Sequence, residues 1–69
     1  MNDEVISLEE KIMLLINGKM DQNSYDECQS TQLSKELKLG RNQVIRLLNE
    51  LFNEKKLIKI KASPILYLS

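Results

Sequence analysis

The sequence predicts a mainly helical fold that ends in a small β-hairpin, and three observations support this fold class. The segment from Ser30 to Leu51, STQLSKELKLGRNQVIRLLNEL, contains two runs of helical apolar spacing joined by a tight turn. A capped helix precedes this pair, beginning near Ser7. Behind the pair, near Leu57, the apolar spacing changes to the alternation of a strand. Three helices and a hairpin in this order form a winged helix-turn-helix, and 69 residues make a single domain, residues 1–69.

The first helix is predicted over about residues 7–17, after a segment 1–6 that we expect to be frayed. Ser7 and Glu10 have the spacing of a capping box, in which each side chain bonds the other residue's backbone N–H. Gly18 suits the left-handed position that ends a helix, so the helix is expected to stop there. The apolar stripe of this helix consists of Leu8, Ile12, Leu15 and Ile16.

Residues 19–29 are polar and irregular and are interpreted as a loop, with Cys28 as its inward-facing residue. The second helix is predicted over about 30–38, with Ser30 as its N-cap. Ser34 is small and lies ten residues before Val44, which suits two helices that cross closely.

The third helix is predicted over about 41–55, and its inward positions are Val44, Leu47, Leu48, Leu51 and Phe52. In the turn before it, Gly40 is expected to take a backbone conformation that other residues resist. A plain helical hairpin without a partner is the alternative interpretation of residues 30–51.

The wing is predicted as two strands, about 57–61 and 65–68, joined by a turn that contains Pro64. In the first strand Ile58 and Ile60 alternate with Lys59 and Lys61. A lone hairpin is marginal unless it is packed, so a swapped or partner-paired strand is the alternative.

Composition argues against most enzymes. The chain has no His and one Cys, so neither a His/Cys metal site nor a Ser-His-Asp or Cys-His nucleophile can be assembled. We therefore expect no enzymatic activity and no cofactor. A single Cys cannot form an internal disulfide, the amino terminus lacks a basic signal region, and no apolar run is long enough to cross a membrane. These features predict a soluble protein of the cytoplasm.

Charge is segregated along the chain although the formal net charge is zero. Residues 1–34 hold two Lys and seven Asp or Glu, a net of −5, and residues 35–69 hold eight Lys or Arg and three Glu, a net of +5. The basic half contains the second helix of the helix-turn-helix, which in this motif can lie in the DNA major groove. A chance imbalance of solvated faces is the alternative.

The outer face of the third helix carries residue types that read DNA bases. Arg pairs with guanine, Asn and Gln pair with adenine, and an apolar group contacts the thymine methyl. The candidates on this face are Arg41, Asn42, Gln43, Ile45, Arg46 and Asn49. Ile45 is equally consistent with semi-exposed packing, and Asn49 with a bond inside the domain. The candidates for phosphate contact, or for ordinary solvated charge, are Lys35, Lys38, Lys59 and Lys61.

Residues 33–68 resemble a known family. The features concerned are Arg41, Val44, Arg46, Leu48-Asn49 with Leu51, the Leu-Ile-Lys-Ile strand, and Pro64 with Leu66-Tyr67. They are similar to the amino-terminal DNA-binding domain of sigma-54-dependent transcriptional regulators of the levanase-operon type, which carry a phosphotransferase-system regulation domain. Two positions depart from the family pattern: Ile45 stands where a small polar residue is usual, and Ser63 where a basic one is.

The resemblance implies that the chain is part of a bacterial activator. Its ATPase and sugar-sensing domains would follow Ser69, and sigma-54 RNA polymerase would be contacted through those domains.

Sequence-specific binding of double-stranded DNA is therefore the function that the sequence favours. A winged helix that binds protein rather than DNA is the alternative, favoured by the zero net charge and by Ile45 on the outer face. The chain has no heptad zipper, so the fragment is expected to be monomeric.

Overall fold

Three α-helices followed by a two-stranded antiparallel sheet make up the part of the chain, residues 6–69, that the computed structural model describes. These elements are α1 Leu8–Asp21, α2 Ser30–Leu37, α3 Arg41–Asn53, β1 Ile58–Ile60 and β2 Leu66–Leu68, with a short 3-10 turn at Tyr25–Glu27. The predicted fold class, a mainly helical winged helix-turn-helix, is confirmed. The segment 1–6 that was expected to fray lies outside the described residues except for Ile6.

Helix α1 begins with the predicted capping box. The backbone N–H of Glu10 donates to Ser7 Oγ at 3.1 Å, and the N–H of Ser7 donates to the Glu10 carboxylate at 3.4 Å. The predicted end of this helix near residue 17 is wrong, because α1 continues through Gly18 to Asp21. The left-handed residue is Asn23, at φ 59°, which tolerates this conformation better than most residues.

All three helices end in the same way, and none of them uses glycine at the left-handed position. Lys38 after α2 and Lys55 after α3 have φ of 58° and 63°. In each case the N–H of the left-handed residue and the N–H of the residue after it donate to carbonyls of the last turn, as in a Schellman motif. The expectation for Gly40 is wrong, since its φ of −65° and ψ of 144° are open to any residue. Helix α3 accordingly ends at Asn53 rather than near residue 55, and Gln29, not Ser30, is the N-cap of α2.

The core lies between the three helices and the inner face of the hairpin. Its buried apolar residues are Ile12, Ile16, Cys28, Leu33, Val44, Leu48, Leu51, Leu57 and Tyr67. Ser34, the residue that the sequence predicted at the crossing of α2 and α3, is buried, and its hydroxyl donates to the Thr31 carbonyl at 2.8 Å. Cys28 is buried as predicted, and burial raises the pKa of its thiol.

In the hairpin, the side chain of Tyr67 faces the core, whereas those of Ile58 and Ile60 face solvent. In the register of the sheet Lys59 pairs with Tyr67, whereas Ile58 pairs with Leu68 and Ile60 with Leu66. Ile58 and Ile60 are 55% and 38% exposed. The N–H of Tyr67 donates to the Cys28 carbonyl at 2.8 Å, which attaches β2 to the segment before α2.

A lysine holds α1 to the following two elements. Lys19 is 6% exposed, and its Nζ lies 2.8 Å from the Glu27 carboxylate and also bonds the carboxylate of Glu36 on α2. Burial alone would lower the pKa of Lys19, but the two carboxylates outweigh it and raise that pKa. The same ammonium group, together with Gln32, lowers the pKa of Glu36.

Within residues 6–69, no helix combines the length and the apolar character needed to cross a lipid bilayer.

Candidate nucleic-acid interface

Helix α3 presents to solvent the face that the sequence predicted. Its buried residues, Val44, Leu48 and Leu51, recur at spacings of four and three and fix the orientation of the helix on the core. The opposite face is polar and exposed, and its members are Arg41, Asn42, Gln43, Arg46 and Asn49. One inward position is predicted wrongly: Phe52 is 41% exposed, because it lies at the edge of the stripe near the open end of the hairpin.

The two ambiguous residues of this face differ in their surroundings. Ile45 is half-buried and lines a groove beside the wing turn, so packing accounts for part of its side chain. Asn49 is exposed and makes no side-chain hydrogen bond to any other residue in the range 6–69. Its amide is therefore available to a ligand.

The basic residues predicted to contact DNA are not neutralised by the domain itself. In the described part of the chain, salt bridges form only at Lys19 and between Lys56 and Glu54. Six basic residues therefore form no ion pair with any residue in the range 6–69: Lys35, Lys38, Arg41, Arg46, Lys59 and Lys61. Their charges are free to attract an anionic partner.

The carboxylates of the basic half of the chain lie elsewhere. Glu36 is engaged by Lys19. Glu50 and Glu54 face Glu9 of α1, where the nearby Glu50 carboxyl, partial burial and the charge of Glu54 raise the pKa of Glu9. Residues 41–49 of α3 thus carry basic and amide side chains and no carboxylate, and Glu50 is the one carboxylate within the helix.

Lys59 and Lys61 do not occupy equivalent positions on the wing. Lys59 lies on the inner face of β1, is half-buried, and holds its Nζ 4.9 Å from the centroid of the Phe52 ring and 5.7 Å from that of Tyr67. Lys61 follows β1 and is exposed. Of the two, Lys61 is the one whose ammonium group is not already held by the domain.

A groove runs between the start of α3 and the wing. It has a volume of about 370 Å³ and is lined by residues 29–31 at the start of α2, Arg41 and Ile45 of α3, residues 62–65 of the wing turn, and Tyr67. Three separate segments of the chain therefore converge beside Arg41. The Gln29 side chain does not cap α2, which leaves the first N–H groups of that helix without a side-chain acceptor from the cap residue.

Residues 29–31 and the wing turn were not among the predicted site residues. Their proximity to Arg41 depends on how the hairpin docks, which no local pattern encodes. The one available signal is the polar run Gln29-Ser30-Thr31 at a helix start, a position where N–H groups bind anions.

The fold and this surface define a winged helix-turn-helix domain with an exposed second motif helix. Comparison with models of known protein families, with curated protein sequences and with solved structures found no match to this chain.

Proposed function

We propose that this chain binds double-stranded DNA sequence-specifically, as the DNA-binding domain of a bacterial transcriptional regulator in the cytoplasm. The observation that carries the proposal is the exposed face of α3 over residues 41–49, which presents two Arg, two Asn and one Gln and no carboxylate. These are the side chains that form bidentate pairs with guanine and adenine edges in the major groove.

Base reading is assigned to the first turns of α3. In a helix-turn-helix the start of the second helix enters the groove most deeply, which favours Arg41, Asn42 and Gln43. Arg46 lies one turn beyond Asn42 on the same face. Ile45, half-buried between these residues and the wing turn, is the candidate for a thymine methyl contact.

Positioning on the phosphate backbone is assigned to the exposed lysines and to the groove. Lys35 and Lys38 flank the end of α2, and Lys61 stands at the start of the wing turn. The groove between α2, α3 and the wing turn supplies Ser30, Thr31 and the uncapped N–H groups of α2 as neutral donors. Lys59 contributes less than these lysines, because its ammonium group lies against two aromatic rings.

The resemblance of residues 33–68 supports a more specific placement, in a sigma-54-dependent regulator of the levanase-operon type. On this proposal the domain selects the promoter, and domains outside this chain contact sigma-54 RNA polymerase.

The test begins with selection of a binding duplex from a random pool, followed by isotherms on that duplex and on a random one. Arg46→Ala should weaken binding to the selected duplex by about 1–3 kcal/mol, and it should weaken binding to the random duplex much less. Lys56→Ala is the matched control, since Lys56 is paired with Glu54, and it should change neither isotherm. Equal weakening of both duplexes by Arg46→Ala would make Arg46 a phosphate contact and move base reading to Arg41 or Asn42.

Binding to a protein partner is the second candidate, favoured by the apolar outer face of the hairpin. Ile58 and Ile60 are exposed and lie beside half-buried Leu68 and Leu66 across the sheet. The two functions respond differently to salt. Binding of DNA weakens steeply as salt rises, through release of counterions, whereas binding through an apolar face does not.

A further inference from the structure

Helix α1 has a solvent-facing stripe whose composition the single domain does not explain. The stripe consists of Ser7, Lys11, Leu14, Gly18 and Asp21, at alternating spacings of four and three, which is the spacing of a seam between two packed helices. Leu14, at its centre, is 62% exposed, the largest exposed fraction of any large apolar side chain in residues 6–69.

Gly18 lies one turn from Leu14 on the same stripe. Its backbone is helical, and apart from its two chain neighbours and the surrounding backbone of α1, no atom lies within 4 Å of the position that a Cβ would take. Neither backbone geometry nor packing within one copy therefore requires glycine here, although glycine is the least favourable residue in a helix interior after proline. A glycine at an exposed helical position does permit close approach by another chain.

We propose that α1 packs antiparallel against α1 of a second copy of this chain. A two-fold axis at the level of Ile16 places Leu14 opposite Gly18 of the second copy, because residue 16 is midway between them. The same axis places Lys11 opposite Asp21 of the second copy, since this pair has the same midpoint. Each contact then occurs twice, as in an isologous dimer.

Charge complementarity identifies the occupant of this surface as a second copy. Lys11 and Asp21 have opposite charges and lie at equal distances along the helix from Ile16, as Leu14 and Gly18 do. In an antiparallel pair of these helices, Lys11 of each copy faces Asp21 of the other, so opposite charges meet at both ends. The same two-fold axis also places the apolar side chain of Leu14 against the open position at Gly18 of the other copy.

Two shallow apolar grooves flank Leu14 and extend the surface. Each groove has an apolar floor and charged residues at its edge: Met13 and Leu51 with Glu9, Glu10 and Lys56 line one, and Leu15 and Leu37 with Lys11 and Glu36 line the other. One helix face is a small interface, so the dimer is weak and forms at high concentration. This inference differs from the monomer that the sequence predicted, and it does not depend on DNA binding.

Sedimentation equilibrium of the 69-residue chain from micromolar to millimolar concentration tests the proposal. The wild-type chain should dimerise reversibly, and Leu14→Gln should raise the dimer dissociation constant by about tenfold or more. Ile58→Gln is the matched control, because it removes a similarly exposed apolar side chain, 55% against 62% for Leu14, from the hairpin, and it should leave the constant unchanged. A chain that is monomeric throughout, or a dimer weakened by Ile58→Gln and not by Leu14→Gln, would overturn the proposal.

A charge swap keeps the test independent of folding. Lys11→Glu and Asp21→Lys should each weaken the dimer, and the double variant should restore it, because the opposite charges again face each other. Gly18→Gln should weaken the dimer while raising the melting temperature of the dilute monomer. A double variant as weak as either single variant would refute the antiparallel register.

Discussion

The ammonium group of Lys59 lies 4.9 Å from the centroid of the Phe52 ring, so the first wing strand is joined to the last turn of α3. A lysine over an exposed ring contributes about 0.5–1 kcal/mol. A double-mutant cycle of Lys59→Met and Phe52→Leu, measured by urea unfolding, should return a coupling energy of this size. A coupling energy of zero would show that the two side chains do not interact in solution.

The same contact separates the two wing lysines in DNA binding. Lys61→Ala should weaken binding to specific and random duplexes alike. It should also make the slope of log K against log salt concentration shallower by about one unit. Lys59→Ala should change that slope less, since its ammonium group is held against Phe52 and Tyr67. Equal slopes for the two variants would mean that Lys59 leaves the rings when DNA binds.

The left-handed conformation of Lys38 is a site where stability can be gained. A residue with a Cβ loses about 1–2 kcal/mol in this conformation, and glycine does not. Lys38→Gly should therefore stabilise the domain by about 1 kcal/mol in urea unfolding. Lys35→Gly is the matched control within α2, and it should destabilise by about 1 kcal/mol because glycine is unfavourable in a helix interior. Destabilisation by both variants would contradict the helix end described above.

The cluster of Lys19, Glu27 and Glu36 predicts a particular dependence of stability on pH. The pKa of Glu36 is lowered in the folded state, so its contribution is present above its usual value of 4.5 and is lost as pH falls through the lowered pKa. The pKa of Lys19 is raised, so its contribution is present below its usual value of 10.5 and is lost as pH rises through the raised pKa.

Lys19→Met should therefore destabilise the domain most near neutral pH, by about 1–3 kcal/mol, the range for hydrogen bonds to charged groups. The partly exposed carboxylates favour the lower end of this range. The difference from wild type should shrink as pH falls below 4.5, measured by urea unfolding at each pH. Lys56→Met, which removes an exposed pair with Glu54, should change stability little. A deficit in Lys19→Met that does not vary with pH would show that the lysine acts only through packing.

Leu48 tests the packing of α3, because its side chain is fully buried. Leu48→Ala should cost about 2–5 kcal/mol in urea unfolding. A domain of this size has a free energy of unfolding of about 3–10 kcal/mol, so the variant should lose a large share of its stability and melt at a clearly lower temperature. Leu47→Ala, one residue away and only half-buried, should cost less, and the reverse order would show that the helix is rotated on the core.

The helices and hairpin could be predicted because their signals are local. The capping box of Ser7 and Glu10, the stripe of α3 and the alternation after Leu57 each lie within a few residues. The end of α1 was missed because glycine suggested a C-cap, whereas the packing of Lys19 against Glu27 and Glu36 accompanies a helix that continues beyond Gly18.

The candidate site was only partly predictable, because some of its features depend on local sequence and others on contacts between residues far apart in the chain. The exposed face of α3 follows from helical period alone, so Arg41, Asn42 and Arg46 were placed correctly on it. The groove beside Arg41 depends on the register of the hairpin and on the bond from Tyr67 to Cys28, which joins residues far apart in sequence. The proximity of Glu9 on α1 to Glu50 on α3 likewise depends on how these two helices pack.

The most direct test of DNA binding by this domain is the salt dependence of its affinity for duplex DNA. Fluorescence anisotropy with a labelled duplex would give the dissociation constant over a series of salt concentrations. The exposed, unpaired basic residues predict binding at low salt and a slope of log K against log salt of about −3 or steeper, at about 0.9 units for each phosphate neutralised. Absence of binding at low salt to every duplex tried, or an affinity that does not change with salt, would show that the basic surface of this domain is not a DNA-binding surface.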